Sequence, residues 1–191
     1  MKSLNGSKTE INLLKAFAGE CQARTRYDFF AKQAVKDGLE QIAAIFAETA
    51  HNEKAHAKIF FKLLEGREAA ITAQYPCGKI GTTEENLKAA SEGEIEEYTH
   101  LYPEFARIAE EEGYREAANA FKLITKIEKS HAERYEKLYQ NLQQGKVFIR
   151  SGVIVWKCRN CGHLHEAKSA PGTCPVCLHP QAFFEIQEIN Y

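Results

Sequence analysis

The sequence predicts a mainly α protein: a four-helix bundle with one long crossover, followed by a small domain of strands and loops. Three observations carry this. Four amphipathic segments with helical spacing fill the chain up to Gly145. The breaks between them are short, long and short in turn. After Gly145 the chain becomes β-branched and aromatic, then rich in Cys, Gly, Pro and His.

The first segment runs over about 8–36 and stops at "KDG"; the second covers about 38–65. The stretch "GREAAITAQYPCGKIGTT" follows, long enough to travel the length of a bundle. The third segment, about 82–112, carries Pro103 in "LYPEF", where a missing donor predicts a kink. "EEEGY" separates it from the fourth, about 114–144. Short breaks pair segments one with two and three with four as antiparallel neighbours, and the single crossover between pairs predicts a ferritin-like topology. "VFIRSGVIVWKC" then reads as strand. The boundary near 146–153 divides the chain into a bundle, 1–146, and a tail domain, 147–191.

The totals narrow the partners. With 25 basic and 26 acidic side chains among 191 residues, no net field gathers nucleic acid or an anionic membrane. No run of about 18 apolar residues occurs, and "MKSLNGSKTE" has no apolar core for a signal peptide, so a soluble, cytoplasmic protein is expected. Six cysteines in such a chain read as metal ligands or spare thiols rather than disulfides.

The helical seams hold charges where leucine belongs. Segment two places Ile42, Phe46, Thr49, Glu53, His56, Phe60 and Leu63 on one face; segment four places Ala117, Phe121, Ile124, Glu128, His131, Tyr135, Leu138 and Leu142. Each has Glu-x-x-His at its centre. Segment three contributes Leu87, Ala90, Glu94, Glu97 and Leu101, and segment one Leu13, Phe17, Glu20 and Tyr27. Glu20 precedes Glu53 by 33 residues and Glu94 precedes Glu128 by 34, so the helix pairs look like internal repeats related by a pseudo-twofold. Any single Glu-x-x-His could be a solvated face, since glutamate is rarely buried. Four coincident seams are another matter. Buried acids need cations, and Arg24 is the only guanidinium near them in the pattern. Metal ions meet the need, and a Glu from each of two helices with Glu-x-x-His from each of the other two is the donor set of ferritin-like di-iron or di-manganese proteins.

In the tail, Cys158, Cys161, Cys174 and Cys177 form C-x2-C, twelve residues, C-x2-C. Four thiolates at that spacing hold zinc or iron, and the spacing does not choose between them. A redox centre next door favours iron, because an electron carrier has a use there that zinc lacks. Cys21 and Cys77 lack a partner motif and read as ordinary thiols.

These motifs together resemble the rubrerythrins, a ferritin-like diiron bundle followed by a rubredoxin-like domain, and the resemblance spans the whole chain. It implies that Glu20, Glu53, Glu94, Glu97, Glu128 and His131 hold the oxidised diiron centre, and that His56 takes one iron in place of Glu97 on reduction. It makes Tyr27 and Tyr102 hydrogen-bonding neighbours of the metal ligands and the four cysteines a single-iron site. His179, beside Cys177, is the candidate for a hydrogen bond that carries electrons between subunits, the alternative being an ordinary surface histidine near a metal. Leu178, following the last cysteine where simple rubredoxins have Gly, departs from the pattern and puts the turn there in question. The implied activity is reduction of hydrogen peroxide to water, as protection against oxidative stress. Electrons would come from NADH through a reductase or a rubredoxin, in a head-to-tail homodimer. No large substrate pocket is expected for so small a substrate. The other readings are a ferroxidase or iron-storage protein, and a non-enzymatic iron- or zinc-binding module.

Overall fold

The computed structural model describes residues 3–190. Helices α1 (Lys8–Lys36) and α2 (Glu40–Leu63) pack together, as do α3 (Thr83–Glu96) and α4 (Tyr102–Glu111) with α5 (Arg115–Gln143). Residues 64–82 cross between the pairs without regular structure. Ser7 caps α1 by accepting from Glu10 N–H, and Thr82 with Glu85 forms a capping box at α3. At the other end of α1, Gly38 (φ +75°) lets Leu39 N–H reach back to Ala34 O at 2.9 Å, which ends the helix and turns the chain into α2.

The pseudo-twofold is visible in two reciprocal caps. Asp37, just past α1, accepts from the Thr83 amide and hydroxyl at 2.9 and 2.7 Å, at the start of α3. Glu112, just past α4, accepts from the Thr9 amide and hydroxyl at 2.8 and 2.6 Å, at the start of α1. Each carboxylate thus meets the donor-rich, partly positive end of the other pair's first helix.

The third predicted segment is not one continuous α-helix. A π-helical turn, Glu97–Leu101, joins α3 to α4, with Tyr102 N–H bonded to Glu97 O five residues back. Pro103 then falls in the first turn of α4, directly after the π turn, so the missing donor stands where the ladder changes from π to α. The π turn inserts one residue and shifts the buried stripe. Leu101, expected on the seam, is 39% exposed, while Tyr102, Ala106 and Ala109 face the core in its place.

Two apolar clusters flank the middle of the bundle. Tyr27, Phe30, Phe46 and Tyr135 belong to one; Phe60, Tyr102 and Phe121 belong to the other. Full burial of each such ring contributes on the order of 2 kcal/mol. The polar seam residues lie between these clusters.

The tail is a three-stranded antiparallel sheet of order β2-β1-β3, with β1 at Ile149–Cys158, β2 at Leu164–Ser169 and β3 at Phe184–Ile186. Trp156 is wholly buried in it and donates from Nε1 to Ala167 O at 3.1 Å. The tail meets its own bundle at the α1–α2 turn. Val147 and Phe148 pack on the bundle core, and a Cβ on Gly38 would stand 3.8 Å from Ala182.

Candidate metal centres

Spacing of three residues on a helix puts Glu53 over His56 on α2 and Glu128 over His131 on α5. Glu20 comes from α1 and Glu94 from α3. All six are at most 4% exposed. They fall into two groups that share Glu53 and Glu128: Glu20, Glu53, His56 and Glu128 in one, Glu53, Glu94, Glu128 and His131 in the other. Within each group the donor atoms lie within 4.8 Å of one another. His56 Nδ1 stands 2.9 Å from Glu53, 2.9 Å from Glu128 and 3.6 Å from Glu20. His131 Nδ1 stands 2.8 Å from Glu128, 3.2 Å from Glu53 and 3.8 Å from Glu94.

Short distances here are mostly not hydrogen bonds. Both Glu128 oxygens, Glu20 Oε2, Glu53 Oε1, Glu94 Oε2 and His131 Nδ1 are buried without a hydrogen-bond partner. Lone pairs aimed past one another at a shared centre suit metal ions, and leaving them unsatisfied would cost on the order of 1–3 kcal/mol apiece. Their proton affinities show the same shortage of positive charge. Burial pushes Glu20 well up. Burial, opposed by His131 and aided by the charges of Glu53 and Glu128, brings Glu94 up to about 8. Glu53 moves the other way, to about 2, because the two imidazoles beside it, His131 and His56, outweigh its burial. Burial disfavours charge on His131, yet Glu128, Glu53 and Glu94 raise it to about 11; Glu128, Glu20 and Glu53 raise His56 in the same manner. Four carboxylates outnumber the two imidazoles, and the metal-free chain makes up the difference by holding protons on Glu20 and Glu94. Two divalent cations bound by carboxylate and imidazole answer both deficits.

Glu97 stands apart. It belongs to neither group and lines an adjoining cavity at intermediate exposure. Burial, then Glu20 and Glu94, raises its carboxyl far above the usual range. The structure therefore presents His56 inside the centre and Glu97 outside it, the reverse of the oxidised set drawn from resemblance. Tyr27 donates to Glu94 and Tyr102 donates to Glu20, each fixing a carboxylate from the side away from the histidines. Arg24 takes no part, being 47% exposed beside Asp28. The cavity itself, about 770 Å³, was not expected from the sequence.

In the tail the Sγ atoms of Cys158 and Cys177 are 3.7 Å apart, and those of Cys161 and Cys174 are 3.6 Å apart. A tetrahedron with metal–sulfur bonds of about 2.3 Å has edges near 3.8 Å, whereas a disulfide spans about 2.0 Å. Two matching turns hold the thiols: Gly162 N–H bonds Cys158 O at 2.8 Å, and Leu178 N–H bonds Cys174 O at 3.0 Å. Leu178 keeps the turn by adopting φ +61°, the left-handed conformation that Gly162 takes at +77°. The His179 amide helps draw the Cys177 thiol down to about 5. The His179 ring packs on Phe183 at 4.5 Å, with Nδ1 3.2 Å from Cys177 O. Cys21 and Cys77 are exposed free thiols.

Comparison with known proteins agrees with this geometry. The family described as Rubrerythrin matches residues 12–139, and that described as Rubrerythrin, rubredoxin-like domain, matches residues 156–185. The chain is 56% identical over 190 residues to a Rubrerythrin from Porphyromonas gingivalis, covering 100% of this chain and 95% of that one. It is 52% identical over 191 residues to a Rubrerythrin from Nitratidesulfovibrio vulgaris, covering 100% of each. A structure of fully reduced, all-ferrous nigerythrin aligns with a TM-score of 0.64 at 31% identity, over 97% of this chain and 92% of that one. The carboxylate–histidine set fits a diiron centre and the four cysteines fit a single iron. The chain is a member of the rubrerythrin family.

Proposed function

We propose that the protein is a peroxidase that reduces hydrogen peroxide to water at the bundle centre, with electrons arriving through the iron of the cysteine domain. Glu20, Glu53, Glu128 and His56 would hold one iron, and Glu53, Glu94, Glu128 and His131 the other, with Glu97 replacing His56 in the oxidised state. Bound in ferrous form, two irons would supply the two electrons that, with two protons from water, convert one hydrogen peroxide to two waters. The remaining work falls to the chain. Tyr27 and Tyr102 orient Glu94 and Glu20. The aromatic clusters above and below exclude water, so charges within act at low dielectric.

The observation that carries this reading is the pairing of His56 inside with Glu97 at the cavity wall. A neutral imidazole suits the lower metal charge and an anionic carboxylate the higher one. A position that can be served by either lets the site follow a change of oxidation state without burying unbalanced charge. Iron storage or ferroxidase chemistry needs no electron-carrying tail.

The tail cannot serve its own bundle by a short route. It packs at Gly38–Ile42, and Glu53 lies thirteen residues beyond Glu40, about 20 Å along α2. A head-to-tail homodimer would bring each tail to the neighbour's centre, with His179 beside Cys177 as the bridging residue. A rubredoxin or an NADH-dependent reductase would feed the tail, in the cytoplasm. None of the helices in the described residues is long and apolar enough to cross a membrane. Mixed dimers test the scheme. A Cys158→Ser chain keeps its bundle and a Glu128→Ala chain keeps its tail. Peroxide turnover driven through the tail should be absent in each parent and present in the mixture. Inactive mixtures shown to contain heterodimers would refute transfer between chains.

A further inference from the structure

Hydrogen peroxide is scarcely larger than water, which occupies about 30 Å³ in the liquid. The cavity beside the centre is about 770 Å³, within the range of pockets that enclose whole organic ligands. It lies between α1, α3, the π turn and the crossover, and the crossover segment is anchored over it: Tyr75 donates to Lys15 O at 2.8 Å. Its inner wall is the machinery of the site, Glu97 and the Tyr102 that holds Glu20. Gly19 lies on the floor between these groups, where a Cβ would be in van der Waals contact with the Tyr75 ring at 3.7 Å and Glu97 Oε1 at 3.9 Å.

The remaining walls expose more apolar than polar surface, with Ala16, Pro76, Ala89 and Phe105 interrupted by Gln22, Thr72 and Gln74. The charges do not favour an anion. Lys15 and Arg26 are set against Glu92, Glu96 and Glu97. A neutral ligand with an apolar body and one polar end aimed at Glu97 matches that lining.

We propose that this cavity admits a neutral organic hydroperoxide, ROOH, and presents its O–OH end to the Glu97–Tyr102 wall for reduction. The inference rests on the peroxidase reading above and extends it to a second substrate class. The balance is the same as for hydrogen peroxide. Two electrons from the reduced centre and two protons from water break the O–O bond, one oxygen leaving as the alcohol ROH and the other as water.

The test compares hydrogen peroxide with cumene hydroperoxide on the full-length, iron-loaded protein, in the native chain and in Ala89→Trp. Ala89 is an exposed α3 residue on the cavity wall, so the larger ring fills the space from outside the metal site. In Ala89→Trp, kcat/KM for cumene hydroperoxide should fall by about tenfold or more, with hydrogen peroxide held within about twofold. Equilibrium dialysis of the product alcohol, 2-phenyl-2-propanol, gives a readout independent of turnover. It should bind the native chain and lose about tenfold in affinity in the variant. Ala73→Trp, on the crossover wall, should repeat the result if Ala89→Trp folds poorly. A native chain that turns over hydrogen peroxide but not cumene hydroperoxide would overturn this inference and leave the peroxidase reading intact. Equal loss of both substrates in the variants would also overturn it. Turnover of neither peroxide by the native chain would refute the peroxidase reading itself, and this inference with it.

Discussion

Without metal, the bundle should lose stability as pH rises through the mildly acidic range. Glu94 is 1% exposed, and its carboxyl sits at about 8 against an ordinary value of 4.5. Burial is the largest cause; Glu53 and Glu128 add to the rise and His131 opposes it. Between those two values the folded chain keeps a proton that the unfolded chain has released. Each pH unit upward therefore favours unfolding by about 1.4 kcal/mol. From about pH 5 to about pH 6.5, Glu94 alone removes about 2 kcal/mol, and Glu20, also raised, acts in the same direction. The one opposing group, Glu53, lies outside this window: lowered to about 2, it contributes stability that is lost only as pH falls below about 4.5. The raised His131 acts in the same direction as Glu94, but only above about 6.5. Urea denaturation followed by far-UV circular dichroism, dominated by the helices, measures the slope. Glu94→Gln cannot ionise and should reduce the slope by about one proton. Iron loading should abolish or reverse it, because ligation keeps the carboxylates ionised and displaces protons. Metal-free stability that is flat or rises across the window, or an unchanged slope in Glu94→Gln, would refute the reasoning.

Three further outcomes follow from particular contacts. Asp37→Ala and Glu112→Ala should each cost about 1–2 kcal/mol by uncapping α3 and α1, with the iron absorption unchanged, as denaturant midpoints and visible spectra would show. Leu178→Gly should stabilise the cysteine domain by about 1 kcal/mol, because Leu178 is 76% exposed and held at φ +61°; thermal bleaching of the cysteine iron should move to higher temperature. His56→Ala should load iron when oxidised but be reduced slowly, whereas Glu128, shared by both groups, cannot be lost: Glu128→Ala should keep only the cysteine iron by elemental analysis.

The helices and the ionisable seam were legible because the period of 3.6 residues persists through Glu53, His56, Glu128 and His131, where charge replaces leucine without breaking step. The π turn was not. Its extra residue leaves Glu94 and Glu97 in step but moves the seam from Leu101 to Tyr102, and a local insertion of one residue cannot be distinguished from the ordinary alternation of threes and fours. Which of His56 and Glu97 turns inward depends on side-chain rotamers rather than on spacing. The cavity depends on where the irregular crossover settles, and Tyr75 anchors it through a backbone carbonyl sixty residues away. At Leu178 the sequence raised the right question, and the backbone answers it with a left-handed leucine.

The central claim is that two bundle irons and one cysteine iron form a single circuit for peroxide. Anaerobic titration of the fully reduced protein with hydrogen peroxide, followed at the thiolate-to-iron absorption of the tail, tests it most directly. Three ferrous irons per chain give one electron each and each peroxide takes two, so two chains should consume three peroxides, with the tail oxidised only through the bundle centre. The same titration of Glu128→Ala should leave the tail ferrous. A tail oxidised at the native rate in Glu128→Ala, or a native end point with the tail still reduced, would contradict the account.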